Sequence, residues 1–146
     1  MQLSVASREQ GSRPEINSGD AESIFAGARS GNDVPYVPEW VLNLGTRVEH
    51  GPWTAELSGT YVDETFTTGS NTNRQVAPDG TPDARFGKTD SYWVVDFGVT
   101  YEVREGLRLL GGMQNVFGEE FVTARHPEGP RPGKPRFTYV GLELDF

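Results

Sequence analysis

The most regular feature of the chain is a two-residue alternation of apolar and polar positions. From Trp40 the even positions read Trp40, Leu42, Leu44, Thr46, Val48, against Val41, Asn43, Gly45, Arg47, Glu49. After His50-Gly51-Pro52, the odd positions carry Trp53, Ala55, Leu57, Gly59, Tyr61, against Thr54, Glu56, Ser58, Thr60, Val62. From Ser91 one rank is Trp93, Val95, Phe97, Val99, Tyr101, Val103, and the other Tyr92, Val94, Asp96, Gly98, Thr100, Glu102. Past Arg104-Glu105-Gly106, Leu107, Leu109, Gly111 and Met113 face away from Arg108, Leu110, Gly112 and Gln114. From about Arg136, Thr138, Val140, Leu142, Leu144, Phe146 oppose Phe137, Tyr139, Gly141, Glu143, Asp145. Successive side chains of a strand point to opposite faces, so each run predicts a strand with one apolar face. A helix would set Glu56, Asp96, Glu102 and Glu143 across its apolar stripe. Five strands follow, and a shorter run from roughly Gln2 to Arg8 is a sixth candidate.

The connections alternate in length. Two are about three residues long, at 50–52 and 104–106, whereas about 9–38, 67–90 and 118–135 are long and rich in Gly, Asn, Asp, Pro and Thr. Short turns at one end and long loops at the other are the habit of outer-membrane barrels. Aromatic placement agrees. Trp40, Trp93 and Phe117 stand at the long-loop ends of the runs, and Trp53, Tyr101 and Phe146 at the turn ends, all on the apolar parity. Such rows match the aromatic belts of a membrane-spanning barrel. Core aromatics of a soluble sandwich are the other reading.

Composition changes this picture little. Only 35% of the 146 residues are hydrophobic and the mean hydropathy is -0.53, but alternating strands escape hydropathy tests built for helices. No run approaches the roughly 18 apolar residues of a membrane helix. A formal net charge of -8 argues against a nucleic-acid partner, which needs a basic stripe. There are no cysteines. Residues 1–25 lack the basic and apolar regions of a secretory signal. For an exported protein that leads to the expectation of a fragment, with Met1 inside a longer barrel or at an artificial start.

Candidate chemistry is sparse. Asp63 and Glu64 are adjacent, so in a strand they point apart and cannot share a proton. His50 and His126 lack ligand spacing for zinc, Ser58 and Ser91 lack a nucleophile elbow, and Gly111-Gly112 matches no phosphate loop. Catalysis, cofactor and metal are therefore not expected. The basic group Arg125, His126, Arg131, Lys134 and Arg136 could contact an anionic ligand, for which Arg forks are suited. Lipopolysaccharide phosphates or plain loop solubility are the more ordinary readings. Arg47, Glu49, Glu56, Arg108 and Glu143 are expected to form a charge network on the polar face.

The run from Leu107 to Phe121, with Asn115-Val116-Phe117-Gly118 at its centre, resembles the penultimate strand of TonB-dependent receptors. There an alternating strand leads into Asn-Leu/Val-Phe-Asp, and Gly118 stands where Asp is frequent. Arg125-His126-Pro127 and the segment from Pro130 to Arg136 resemble the family's last loop. The segments from Val34 to Glu39 and from Gly59 to Phe66 are similar to ferric-citrate-type receptors. Gly141, Leu142, Leu144 and Phe146 resemble the terminal signal read by the barrel-assembly machinery. The matches cover most of residues 34–146.

The resemblance implies an all-β, antiparallel up-and-down meander of about five to six transmembrane strands. These would belong to a barrel of about twenty-two, with residues 1–146 as its C-terminal part and the plug and TonB box not recognisable. It further implies the outer membrane of a Gram-negative bacterium and uptake of a ferric siderophore, ferric citrate or similar scarce nutrient. The implied partners are outer-membrane lipid and lipopolysaccharide, the assembly machinery, the ferric chelate, and the TonB system through the missing plug. Another outer-membrane barrel (porin or adhesin) and a soluble β-sandwich module binding carbohydrate are the rival expectations.

Overall fold

The computed structural model describes the backbone of residues 2–7 and all of 24–25, 27–77 and 79–145. Among these residues there is no helix, hence none able to cross a membrane, which leaves crossing by strands untouched.

Among the described residues eight strands form: β1 (Gln2–Ser7), β2 (Trp40–His50), β3 (Trp53–Val62), β4 (Tyr92–Arg104), β5 (Leu107–Gln114), β6 (Val122–Ala124), β7 (Arg131–Pro132) and β8 (Phe137–Leu144). Six make one antiparallel sheet in the order β1-β2-β3-β4-β5-β8. The five strands expected from alternation and the sixth candidate are all in it. The pair β6–β7 is a separate ribbon inside the third long loop, too short and too proline-rich to show a period.

The short hairpin turns are tighter than the spacing suggested. His50 and Arg104 complete their strands, so the turns reduce to Gly51-Pro52 and Glu105-Gly106. Gly51 (φ 56°) and Gly106 (φ 76°) supply the positive φ that two-residue hairpins require. The long connections lie at the other end and span 8–39, 63–91 and 115–136.

Register decides the faces. Leu42 pairs with Tyr61 and Tyr61 with Trp93; Leu57 joins Thr46 to Phe97, and Phe97 meets Met113. Gly111 then meets Val140, and Leu109 meets Leu142. Residues directly opposite share a face, so the apolar ranks of β2, β3, β4, β5 and β8 merge into one surface. Apart from Arg104, which a register shift at the turn end sets opposite Leu107, it bears no Lys, Arg, Asp or Glu. The other surface carries Arg47, Glu49, Glu56, Asp96, Glu102, Arg108 and Glu143.

The apolar surface is not covered by the chain itself. Trp40 is 47% exposed, Trp53 52% and Val140 85%. The buried apolar side chains among the described residues are Phe86, Phe121 and Pro35, all in the loops beyond the sheet. A soluble sandwich would enclose Leu57, Trp93 and Phe97 in its own centre; here they face outward.

Candidate functional site

Two regions bear polar groups in fixed geometry: the polar face of the sheet and the layer of long loops above it. On the polar face near the turn end, Arg47 donates from Nε to Glu49 (2.8 Å) and from Nη1 to Glu56 (2.9 Å). Arg108 reaches Glu143 at 3.1 Å and Asp145 at 2.6 Å. The five residues read as a network thus form two separate clusters, and Asp145, which that reading omitted, belongs to the second. All these side chains are well exposed and screened, so each pair contributes below about 1 kcal/mol.

Higher on the same face, glycines pave the wall. Gly98 pairs with Gly112, which pairs with Tyr139, and the Tyr139 ring lies across Gly112. A Cβ at Gly112 would stand 2.5 Å from Tyr139 Oη and 2.7 Å from the Phe97 carbonyl oxygen. The paving opens a recess of about 450 Å³ bordered by Arg47, Glu56, Ser58, Asp96 and Tyr139. Ser58 stands opposite Asp96 there, and the Asp96 carboxylate accepts the Asn115 N–H. Among the described residues no three His, Cys, Asp or Glu gather where they could hold a metal. Asp63 accepts from Tyr61 Oη (3.1 Å) while Glu64 pairs with Lys88, so the two neighbours have separate partners. His50 ends β2 opposite Trp53.

The seam between sheet and loops is Asn115. Its φ is 49°, the left-handed region where Asn is tolerated, and it is 1% exposed. Its N–H donates to Asp96 (2.8 Å), its Nδ2 to the Glu119 and Lys134 carbonyls (2.8 and 3.0 Å), and its Oδ1 accepts from Glu119 N (2.8 Å). One side chain therefore ends β5 and ties both ends of the third loop together. Asn in front of Val116-Phe117-Gly118 was the visible signal, but its latching role was not foreseen. Phe117 consequently lies beyond the strand end, 73% exposed.

The basic group divides. Arg125 is 8% exposed, and its guanidinium donates to the Lys88 and Ala84 carbonyls (2.7 and 3.3 Å). His126 contacts Tyr36 Oη through Nδ1 (3.0 Å) and meets Tyr36 and Phe86 edge-on. Burial first, and Arg85 second, hold its pKa below the ordinary value near 6.5. Arg131 is exposed and 4.0 Å from Glu128. Lys134 bonds Gln114 and lies 5.7 Å from the Phe137 ring. Arg136 is exposed beside Gly118. Gly141, Leu142 and Leu144 lie on β8, Leu142 and Leu144 outward; Phe146 is outside the described residues.

An antiparallel meander with an apolar outer face, a charged inner face, short turns at one end and long loops at the other is the wall of an outer-membrane β-barrel. Its family is shown by sequence: residues 12–116 match the family described as TonB dependent receptor-like, beta-barrel, and the chain belongs to it. Proteins of this family are receptors of the Gram-negative outer membrane, not enzymes. No curated protein matches the chain.

Solved structures share the fold. The ferric citrate transporter FecA, unliganded, aligns at 24% identity and a TM-score of 0.70, over 80% of this chain and 18% of FecA. The ferric-catecholate import receptor Fiu of E. coli K12, in its open form, aligns at 23% and 0.61, over 75% of this chain and 16% of Fiu. The siderophore receptor PiuA of Acinetobacter baumannii aligns at 18% and 0.65, over 79% and 15%. The chain thus spans less than a fifth of each of these receptors.

Proposed function

We propose that the chain is the C-terminal part of a barrel through which a ferric chelate, a siderophore complex or ferric citrate, enters the cell. The observation that carries this reading is the two-faced sheet whose long loops all leave at one end. β1 and β8 each have one neighbour among the described strands, and an open edge in hydrocarbon leaves backbone donors unpaired. Bacterial barrels start at about eight strands, so further strands are needed to close this one. In this reading the loops capture the chelate and energy delivered through TonB displaces the plug of the whole receptor. Three structural neighbours, named for ferric citrate, ferric catecholate and siderophore, favour an iron chelate as cargo.

Arg131 and Arg136 are the exposed guanidiniums of the basic group, open to an anionic chelate or to lipopolysaccharide phosphates. The β8 end, with Gly141, Leu142, Leu144 and Phe146, is offered as the segment read by the barrel-assembly machinery. The test is growth under iron limitation on single chelates, comparing cells with and without the gene. Loss of growth on one ferric chelate, restored by the gene, is expected. Equal growth on ferric citrate, catecholates and hydroxamates would contradict the iron-chelate reading.

A further inference from the structure

The three long loops meet at one residue, Tyr36. Tyr36, from the first loop, donates its backbone N–H to the Phe66 carbonyl of the second loop (2.9 Å). Its hydroxyl oxygen accepts the backbone N–H groups of Arg125 and His126 from the third, both at 3.1 Å. Those two donors fill the two acceptor positions of a phenol. The remaining O–H of Tyr36 is directed to His126 Nδ1, 3.0 Å away, which must then present a lone pair. Arg125 extends the junction to the second loop through the Lys88 and Ala84 carbonyls. Tyr36 itself is held at φ 59°, a conformation rare for a bulky residue, so its surroundings impose its position.

We propose that Tyr36 and His126 form an acid-released clasp: it holds the three external loops as one body while the imidazole is neutral, and lets the third loop go once the imidazole is protonated. A proton on Nδ1 would aim a third donor at an oxygen already accepting two, and leave the phenol proton without an acceptor. It would also place a cation among aromatic edges next to Arg85. The charged groups acting on the ring are Asp83 and Arg85 of the second loop, bonded to each other at 2.8 to 3.1 Å; Arg125, its chain neighbour, turns its guanidinium to the Lys88 and Ala84 carbonyls. From the first loop the facing group is the Tyr36 phenol.

Burial and Arg85 outweigh the opposing pull of Asp83, so the ring is neutral at neutral pH. For a base with a lowered folded value, the stabilisation is complete above the ordinary value near 6.5 and is lost as pH falls through the lowered one. Asp83 is itself held below its ordinary carboxylate value by Arg85 and keeps its charge across that window. Tyr36 and His126 act here as positioning residues. The clasp concerns the loop layer alone and stands whichever chelate the receptor carries.

Amide hydrogen exchange on the receptor in outer-membrane preparations tests this directly, because the two N–H groups on Tyr36 Oη report the clasp. After correction for intrinsic rates, protection of Arg125 and His126 should fall from about pH 7.5 to about pH 5, while β3 amides stay protected. Y36F should abolish the protection at both pH values, and H126Q, which cannot titrate, should make it independent of pH. Equal protection of the unaltered receptor at the two pH values would overturn the clasp. So would equal loss in β3, which is general acid unfolding, or an H126Q profile that follows the unaltered one.

Discussion

The sheet and the loop layer are built on opposite plans. In β2, β3, β4, β5 and β8 no large side chain is buried, and the tryptophans stand half exposed; in the loops Thr67 is 0%, Thr68 1%, Asn115 1% and Phe86 3% exposed. An ordinary domain keeps its core between its sheets and its loops at the surface. The inversion shows where each region gets its solvent. The sheet borrows hydrocarbon on one side and a polar interior on the other. The loop layer, standing in water, has to make its own core, and does so mainly with hydrogen-bonded threonines. Thr65 and Thr89 bond each other at 2.9 Å, and Thr67 Oγ1 donates to the Arg85 and Gly87 carbonyls.

This contrast can be broken at graded cost. The largest effect is expected at the seam. Asn115→Ala strands buried partners at Asn115's side-chain bonds and leaves Ala in the left-handed region, costing roughly 3–5 kcal/mol from unmade buried bonds and strain. Loss of the heat-resistant folded band on unheated gels would show it. Next is Leu57→Arg, a charge at the middle of the lipid face, costing about 2–4 kcal/mol in denaturant titrations in lipid, whereas neighbouring Ser58→Arg should cost little.

Adjacent glycines sharpen the comparison further. Gly112→Ala would press Cβ against Tyr139 and the Phe97 carbonyl, for about 1–3 kcal/mol. Gly111→Ala, on the lipid side, meets atoms no nearer than 3.7 Å and should be tolerated in the same titration. Smallest is Arg47→Gln, whose exposed ion pairs with Glu49 and Glu56 predict a change under about 1 kcal/mol, further reduced by salt.

The sheet was legible from sequence because its rule is local. Alternation between Trp40 and Val48 assigns the face of every residue, and the turns at Gly51 and Gly106 then set the register. The loop layer was not, because its bonds join residues far apart in the chain. Tyr36 meets His126 across 90 positions and Asn71 meets Asp33 across 38. Arg125 reads as a surface cation, since Arg is rarely buried without partners; its partners are carbonyls at Ala84 and Lys88, which no side-chain pattern announces. The basic loop residues looked like one group in sequence, yet the fold sends Arg125 and His126 inward and leaves Arg131 and Arg136 outside.

The central claim, that alternate residues of one strand meet hydrocarbon and water, is open to a direct labelling measurement. The chain has no cysteine of its own, so Leu57→Cys and Ser58→Cys give adjacent reporters on opposite faces of β3. In outer membranes, a charged water-soluble maleimide should label position 58 and leave 57 unmodified until detergent replaces the lipid. Equal labelling of both in intact membranes, or protection of position 57 in plain buffer with no membrane present, would contradict it.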